Sequence, residues 1–332
     1  MLSSSTVSPP DPTILTTADH PIVLGVIVLA AGLALFLLPF SLAEAAPNGW
    51  RTPYIIAMLI LGLVFLLAFG PIEKYISPKP FLPWRLLRER TLLATCMLAF
   101  TYQIGYYCWN SYFTSFLQVV NDLSLAQAGY VSSTFDMVSG LFLFLVGFAI
   151  RKTRRFKWQL CIAVPMYTLG QGLMIYFRRP GFSVGYLVMC QIFIALGGST
   201  MIICEQVAVL AVAEHGEAAA VLALLGLFGY MGGAVGNAIS GAIWTNTFPI
   251  ELQKRLPEAV MSDFAEIYGD LAKQLSYPVG SLAREAIVQS YAVAQTRMLT
   301  AGTAVMALTM VCVVLIKNIN VAEIEQVKGT LF

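Results

Sequence analysis

The stretch TYQIGYYCWNSYFTSFLQ, from Thr101 to Gln118, combines hydrogen-bonding side chains and aromatic rings within a long apolar run. Four of its polar residues recur in steps of four, three and four, which places them in one narrow stripe of an α-helix: Gln103, Tyr107, Asn110 and Thr114. Four aromatic residues form the adjacent stripe: Tyr102, Tyr106, Trp109 and Phe113. Side chains of these two kinds suit a bulky organic ligand that has both polar and apolar surface.

Two interpretations of the polar stripe follow from its place in an apolar run. An unpaired amide that faces lipid costs several kcal/mol, so the stripe must face other helices or a water-filled cavity. A cavity would make Gln103, Tyr106, Tyr107, Asn110 and Thr114 candidate substrate-binding residues. Hydrogen bonds between helices, with Tyr and Trp at the membrane interface, are the structural alternative.

Two acidic residues also fall inside apolar runs, Asp136 in SSTFDMVSG and Glu205 in IICEQVAVL. Ionisable residues inside a membrane are costly and usually face a cavity or a partner. Each is therefore a candidate proton carrier, with a structural hydrogen bond to a neighbouring helix as the alternative. Three further polar residues of the apolar runs are candidates for binding a substrate: Gln171, Gln206 and Asn237.

The segment GLFGYMGGAVGNAISG repeats small residues at every fourth position, as in Gly232, Gly236 and Ser240. Such spacing lets the backbones of two helices approach closely. Tight packing and a contact surface that slides during transport would use the same residues, and the spacing does not separate them. Motifs of enzymes are absent, since no HExxH, GxSxG or P-loop pattern occurs. The six cysteines lack metal-ligand spacing, so we expect no catalytic residue, no metal site and no cofactor.

The composition indicates which elements must position these residues. Hydrophobic residues make up 58% of the 332-residue chain and charged residues only 11%, against about 25% charged in a soluble domain. With a mean hydropathy of +0.75, this is the composition of an integral membrane protein in a lipid bilayer. The net charge of +2 gives no indication of a nucleic-acid partner. Eight apolar runs are close to the length that spans hydrocarbon: 21–43, 53–71, 91–119, 126–150, 160–177, 186–213, 219–246 and 298–316.

These runs predict an all-α, multi-pass helical bundle of about eight transmembrane helices. Basic residues concentrate in the loops 72–90 and 151–159, which we expect on the cytoplasmic side because short cytoplasmic loops are rich in Lys and Arg. Both termini then fall on the cytoplasmic side, with a disordered segment at 1–20 and a tail at 317–332. The choice between the plasma membrane and an endosomal or vesicle membrane stays open, since no sorting signal stands out.

The segment 248–297 is predicted to be a long external loop with its own order. Apolar residues recur at helical spacing and predict one face of an amphipathic helix: Leu252, Leu256, Val260, Phe264 and Leu271. Pro278 and Gly280 should end this helix, and a second short helix is expected from Leu282 to Gln295.

Several long strings resemble fungal siderophore–iron transporters of the major facilitator superfamily. They include YQIGYYCWNSYFTSFLQVV, LLGLFGYMGGAVGNAISGAIWTNTFP, LALFLLPFSLA and SYPVGSLAREAIVQSYAVAQTRMLTAG. The resemblance covers nearly all of the chain after residue 20. It implies import of a ferric siderophore, a hydroxamate-type iron chelate, by proton symport. It also implies that Tyr277, in SYPVG, belongs to a last outer loop that takes part in substrate handling.

The same resemblance implies a fourteen-helix fold, of which this chain holds only a part. Residues 21–71 match two extra linker helices, and residues 91–316 match the C-terminal six-helix domain. The N-terminal six-helix domain has no counterpart, so we expect a fragment whose partner is the missing half or a second copy of the chain. The superfamily's cytoplasmic signature is only partly present, because Arg151 in GFAIRKTRRFK stands where an aspartate is expected. A multidrug–proton antiporter of the same superfamily and a non-transporting fragment are the alternatives.

Overall fold

The computed structural model describes residues 20–43, 46–75, 84–214 and 216–323. The chain divides into two compact units, one that ends at Leu87 and one that begins at Arg88. The described parts are helical, and they contain no β-structure beyond one isolated bridge between Arg155 and Asn320. Nearly all of the predicted disordered segment 1–20 lies outside the described residues, as does the predicted tail 317–332 beyond Glu323.

The first unit is a helical hairpin. Helix α1 spans His20–Leu42, α2 spans Pro53–Tyr75, and a single turn, α3, spans Trp84–Leu87. Helices α1 and α2 pack along their length. They can do so because Gly62 has no side chain: a Cβ there would lie 2.8 Å from the Phe36 Cα, well inside van der Waals contact. These two helices correspond closely to the predicted runs 21–43 and 53–71.

The second unit is a bundle built around one central helix. Its helices are α4 (Arg90–Asn110), α5 (Phe113–Val120), α6 (Leu125–Ser132), α7 (Thr134–Thr153), α8 (Lys157–Phe177), α9 (Val184–Leu210), α10 (Ala218–Arg255), α11 (Phe264–Gly269), α12 (Leu271–Ser276) and α13 (Leu282–Leu315). Helix α4 packs against α9, α10 and α13, while α8 packs against α9 and α13, and α7 against α9. The core of the unit is therefore made by the faces that these helices turn towards α4 and α9.

The predicted third span, 91–119, is not one helix. It breaks after Asn110, where Tyr112 takes a left-handed conformation with φ of 58°. Carbonyl groups freed at the end of a helix need new donors, and side chains from other helices supply them. Arg178 donates to the freed carbonyl oxygen of Trp109. The Ser240 hydroxyl donates over 3.2 Å to the carbonyl oxygen of Tyr107, which also accepts from the Ser111 N–H. These donors lie far away in the sequence, so the break has no local signal.

The predicted external loop 248–297 is also reorganised. Helix α10 continues to Arg255, and α13 runs unbroken from Leu282 to Leu315. The expected short helix 282–295 and the expected span 298–316 are thus one helix, because no Gly or Pro interrupts the sequence between them. The predicted ending at Gly280 agrees with the structure, where this residue has φ of +83°.

The apolar face predicted for this loop is used by several short elements in place of one helix. Leu252 and Leu256 are buried, and Val260, Phe264 and Leu271 pack against the core. Leu252 lies in α10, and Leu256 follows its last residue. Val260 lies in a 3-10 helix at Glu258–Asp263, Phe264 in α11 and Leu271 in α12. Pro257 follows α10, and its ring lacks the backbone N–H that a continuing helix would need.

Six helical segments in the described ranges are long and apolar enough to cross a membrane: Pro53–Ile72, Leu125–Thr153, Lys157–Phe177, Val184–Leu210, Ala218–Arg255 and Leu282–Leu315. Two of the eight predicted spans are not among them. Helix α1 contributes only a shorter apolar stretch, Ile27–Phe40. Helix α4 carries the polar stripe and stops at the break, so the 91–119 run is divided. The all-α, multi-pass class predicted from the sequence is confirmed.

Candidate functional site

Helix α4 has one fully buried face and one half-buried face. Tyr102, Trp109 and Phe113 are at most 3% exposed and belong to the core. The polar stripe is half-buried throughout, and Tyr106 joins it. The structure therefore divides the predicted aromatic stripe: three of its rings are core residues, and Tyr106 lies on the half-buried face.

Glycines of α10 hold the polar stripe from one side. A Cβ at Gly232 would overlap the carbonyl oxygen of Phe100, and a Cβ at Gly233 or Gly236 would lie within 2.9 Å of the Tyr107 side chain. The ring of Tyr107 thus lies directly on the α10 backbone. The small-residue repeat creates this close contact, and a larger residue at these positions would displace Tyr107.

The end of the stripe at Asn110, next to the break, forms a small hydrogen-bonded group. The Asn110 amide donates to the Tyr106 hydroxyl over 3.3 Å, and the Ser111 hydroxyl donates to Oδ1 of Asn237 over 3.5 Å. Asn237 itself is exposed. The structure thus brings the α10 candidate Asn237 to the α4 stripe. Thr114 lies beyond the break in α5 and is half-buried.

The end of the stripe at Gln103 opens into a cavity of about 540 Å³ between α4, α9 and α10, here called the lower cavity. Its polar lining comes mainly from Tyr102, Gln103, Glu205, Gln206 and Tyr230. Glu205 is only 5% exposed, and its Oε1 atom has no hydrogen-bond partner within the described part of the chain. Gln206 is exposed beside it. Three of the predicted residues, Gln103, Glu205 and Gln206, therefore share one cavity.

The second acid, Asp136, has a different environment. It lies in the first turn of α7 and is exposed. It is close enough to interact electrostatically with the hydroxyl groups of Tyr106 and Tyr102, and Tyr102 also interacts with Glu205. Both acids therefore lie within electrostatic range of the Tyr102 hydroxyl. This places the buried acid at the cavity and the exposed acid near the middle of the stripe.

Gln171, predicted as a substrate-binding candidate, is placed elsewhere. Its side chain is fully buried, and its amide nitrogen donates to the carbonyl oxygen of Gly105 over 3.1 Å. It fills the space beside Gly302 of α13. A Cβ added at Gly302 would overlap the Gln171 amide and would lie 2.6 Å from the Cβ of Cys108. Gln171 thus joins α8 to α4 inside the bundle and does not reach the half-buried stripe.

Tyr277 belongs to the segment between α10 and α13. Its hydroxyl donates to Oδ2 of Asp263 over 2.9 Å, and Lys273 forms ion pairs with Asp263 and Glu266 at 3.0 and 2.9 Å. The hydrogen bonds from Lys273, and then from Tyr277, lower the pKa of Asp263 below its ordinary value. The phenol of Tyr277 thus has a structural partner, and no contact joins it to the α4 stripe within the described residues.

No protein-family model matches the chain. Curated fungal proteins match nearly all of it. It is 56% identical to MFS siderochrome iron transporter D of Aspergillus fumigatus and 55% identical to siderophore iron transporter mirB of Emericella nidulans, in each case over 93% of this chain. Siderophore iron transporter 1 of Schizosaccharomyces pombe is 39% identical over 85% of the chain. Over nearly all of its length, this chain is therefore similar to fungal siderophore–iron transporters.

The chain spans about half the length of these relatives, namely 52% of the first and 51% of the second. Among solved structures, a bacterial homologue of the human lysosomal transporter Spinster superposes with a TM-score of 0.51 in its inward-facing and occupied conformation. That match covers 90% of this chain and 66% of the other, at 15% sequence identity. It shows a shared fold. The relatives are transporters by name, a non-enzymatic class, which agrees with the sequence prediction.

Two residues of the candidate site were not identified from the sequence. Tyr230 lines the lower cavity and is 79% exposed. It precedes the predicted Asn237 by seven residues, which is two helical turns, so a helical wheel of α10 would have found it. Arg178 has no such signal, because its role at the end of α4 depends on the break at Tyr112. Among the described residues, no group of three or more His, Cys, Asp or Glu side chains could hold a metal ion.

Proposed function

We propose that the half-buried stripe of α4 forms one wall of the route by which a ferric siderophore of the hydroxamate type crosses a fungal membrane. One observation carries the proposal: amide and phenol side chains remain half-exposed along a helix whose other faces are buried. Polar groups at membrane depth are tolerated where they line a water-filled cavity. The relatives are named as transporters of siderochrome or siderophore iron.

The chemistry of the stripe suits such a substrate. A ferric chelate presents carbonyl and amide groups around its iron, together with apolar surface. Gln103 and Asn110 can donate and accept hydrogen bonds, while Tyr106 and Tyr107 add flat apolar surface with a hydroxyl at the tip. The iron is cargo that remains within its chelate, so these residues would recognise the organic shell.

Proton coupling is the second part of the proposal, with Glu205 as the proton carrier. Its carboxyl group lies in the lower cavity, and no basic side chain pairs with it within the described residues. Loss of its proton would leave an uncompensated charge in a region of low dielectric, which is costly unless water enters the cavity. Opening of the cavity on one side of the membrane would therefore favour release of the proton on that side. Asp136, being exposed, is the alternative carrier.

The test is uptake of radioactive ferric siderophore by fungal cells that lack their own carriers. The chain would be expressed alone and also joined to the other half of the Aspergillus fumigatus relative. In whichever of these two forms transports, Asn110→Ala should reduce siderophore uptake at least tenfold, when uptake is divided by the amount of protein in the membrane. Asn246→Ala is the matched control, because this exposed amide donates only to Ala242 and Thr245 of its own helix. Equal uptake by both variants would refute the cavity interpretation.

The pH dependence of uptake tests the proton carrier separately. Glu205→Gln should remove the dependence of uptake on the proton gradient, and Asp136→Asn should retain it. The reverse result would make Asp136 the carrier. Retained dependence in both single variants would rule out both acids.

A further inference from the structure

A long seam between α8 and α13 lies on the side of α8 that is turned away from α4. Tyr167 and Gln171 form the face of α8 that hydrogen-bonds to α4. Leu169 lies on the opposite face, since two residues along a helix turn it by about 200°, and Gly172 lies about 100° from Gln171. The seam is therefore separate from the candidate route along α4, and nothing in the proposed function accounts for it.

The middle of the seam is an apolar groove of about 730 Å³. It is lined by Leu169, Gly172, Leu173, Ala307 and Met310, among others. Gly172 leaves the groove open, because a Cβ at this position would meet no atom within 4 Å. The groove thus has the shape and chemistry to take a flexible hydrocarbon chain.

A second recess of about 400 Å³ lies on the same seam, where α8 ends. Its lining includes two exposed arginines, Arg179 and Arg297, together with Gln289 and Thr296. Arg179 donates to the carbonyl oxygen of Ile175 over 3.2 Å. Arg297 donates to the Thr247 hydroxyl over 3.1 Å.

These contacts leave most of each guanidinium group unused. In the described parts of the chain, neither Arg179 nor Arg297 forms an ion pair with a carboxylate. The remaining N–H groups can therefore bind an anion. A guanidinium fork matches the oxygens of a phosphate group in particular.

The two recesses are in register along α13. Thr296 lines the basic recess and Thr303 the apolar groove. They are seven residues apart, which is two turns on one face and about 10 Å along the axis. From Arg297 to Met310 the seam runs about 20 Å. One leaflet of the hydrocarbon core is about 15 Å thick, so the seam has the length of one acyl chain below its headgroup.

We propose that this seam binds one phospholipid, with its phosphate between Arg179 and Arg297 and one acyl chain in the groove. The combination of two features carries the assignment. An acyl chain alone would need no arginines, and a free phosphate would need no groove beneath it. The site is distinct from the siderophore route, so the proposal stands independently of the proposed function.

The test is native mass spectrometry of the full chain, purified in detergent and stripped of lipid. The probes are palmitoyl-oleoyl phosphatidylglycerol, the corresponding diacylglycerol, and glycerol phosphate. The unmodified chain should retain one phosphatidylglycerol, and the other two probes should bind at least tenfold more weakly. Equal binding of glycerol phosphate would show a site for free phosphate, and equal binding of diacylglycerol would show a merely apolar surface; either result overturns the proposal.

Two variants address the two ends of the seam. The double variant R179Q/R297Q removes the phosphate contacts, and Gly172→Phe fills the groove, so each should weaken binding of the phospholipid at least tenfold. The control K254Q/R255Q removes two positive charges that are already paired with Glu251. Gly140→Phe is the control for the groove, because Gly140 also has open space around it but lies on α7.

Unchanged binding in either seam variant, or an equal loss in its control, would overturn the proposal. Hydrogen exchange of the unmodified chain gives a measurement that does not depend on any variant folding. Added phosphatidylglycerol should slow exchange in residues 169–179 and 292–310 and leave 134–153 unaffected. A dimer that excludes lipid from the seam would show that a second copy of the chain occupies it, and would also refute the assignment.

Discussion

The contact between α4 and α10 leads to a stability prediction that can be worked from the structure. A Cβ at Gly232 would overlap the carbonyl oxygen of Phe100 and lie 2.9 Å from its Cα. Both atoms belong to the backbone, so no side-chain rotation can relieve the clash, and α4 and α10 must separate. We expect Gly232→Ala to cost about 3 kcal/mol, the upper end for overpacking. Alanine's better helix propensity offsets about 1 kcal/mol of this, which leaves about 2 kcal/mol net.

Gly226, six residues earlier in the same helix, is the matched control. A Cβ there would meet no atom within 4 Å, so Gly226→Ala should have only the favourable propensity effect. For a unit of this size, 1 kcal/mol corresponds to about 2–4 °C in Tm. Thermal unfolding in detergent should therefore show a Tm about 4–8 °C lower for Gly232→Ala and unchanged or slightly higher for Gly226→Ala. Equal Tm values for the two variants would refute the close approach of α4 and α10.

Three further predictions concern residues whose partners are buried or ionic. Gln171→Leu should lower the free energy of unfolding by about 1 kcal/mol and leave siderophore uptake per folded molecule unchanged. A loss of uptake without a loss of stability would instead place Gln171 in the transport route. Arg284 is buried and donates to the carbonyl oxygens of Val119, Gln274 and Gln118. Arg284→Ala should therefore lower the free energy of unfolding by at least about 2 kcal/mol and expose residues 264–281 to protease. A variant that stays stable and resistant to protease would contradict this. The pKa of Asp263 is lower in the folded chain than its ordinary value of 3.8, which we take for the unfolded chain. The contribution of Asp263 to stability is therefore present above pH 3.8 and is lost as the pH falls through the lower pKa of the folded chain. Hydrogen exchange of residues 263–277, corrected for the intrinsic rate, should accelerate below about pH 4 in the unmodified chain, and Asp263→Asn should remove this step.

Much of the fold could be predicted from the sequence because apolar runs and helical spacing are local signals. The hairpin of α1 and α2 and the long helices α8, α9 and α10 follow the predicted runs closely. The break at Tyr112 could not be predicted in this way, because a tyrosine with φ of 58° carries no local turn signal. It is stabilised by Arg178 and Ser240, which contribute donors from two other helices.

The continuous helix α13 shows the opposite error. The sequence predicted a short helix followed by a span, because Arg284, Glu285 and Arg297 make the first half too polar for hydrocarbon. In the structure the two halves form one helix, since polarity alone does not end a helix and neither Gly nor Pro stands where the two halves join. The polar half contacts α5 and α12, so it extends the span beyond the apolar core.

Gln103 and Gln171 show how far a polar residue in an apolar run can be interpreted from sequence. Both are glutamines within spans, and both need hydrogen-bond partners because an unsatisfied amide is costly at membrane depth. Gln171 has an open position on Gly302 and a carbonyl acceptor on Gly105, so the bundle pairs its amide nitrogen from inside, while its Oε1 atom has no hydrogen-bond partner in the described part of the chain. Gln103 packs beside Gly229 at the mouth of a cavity, and its amide remains half-exposed. The neighbouring glycines decide between the two outcomes, and only the packing of the helices shows which glycine faces which glutamine.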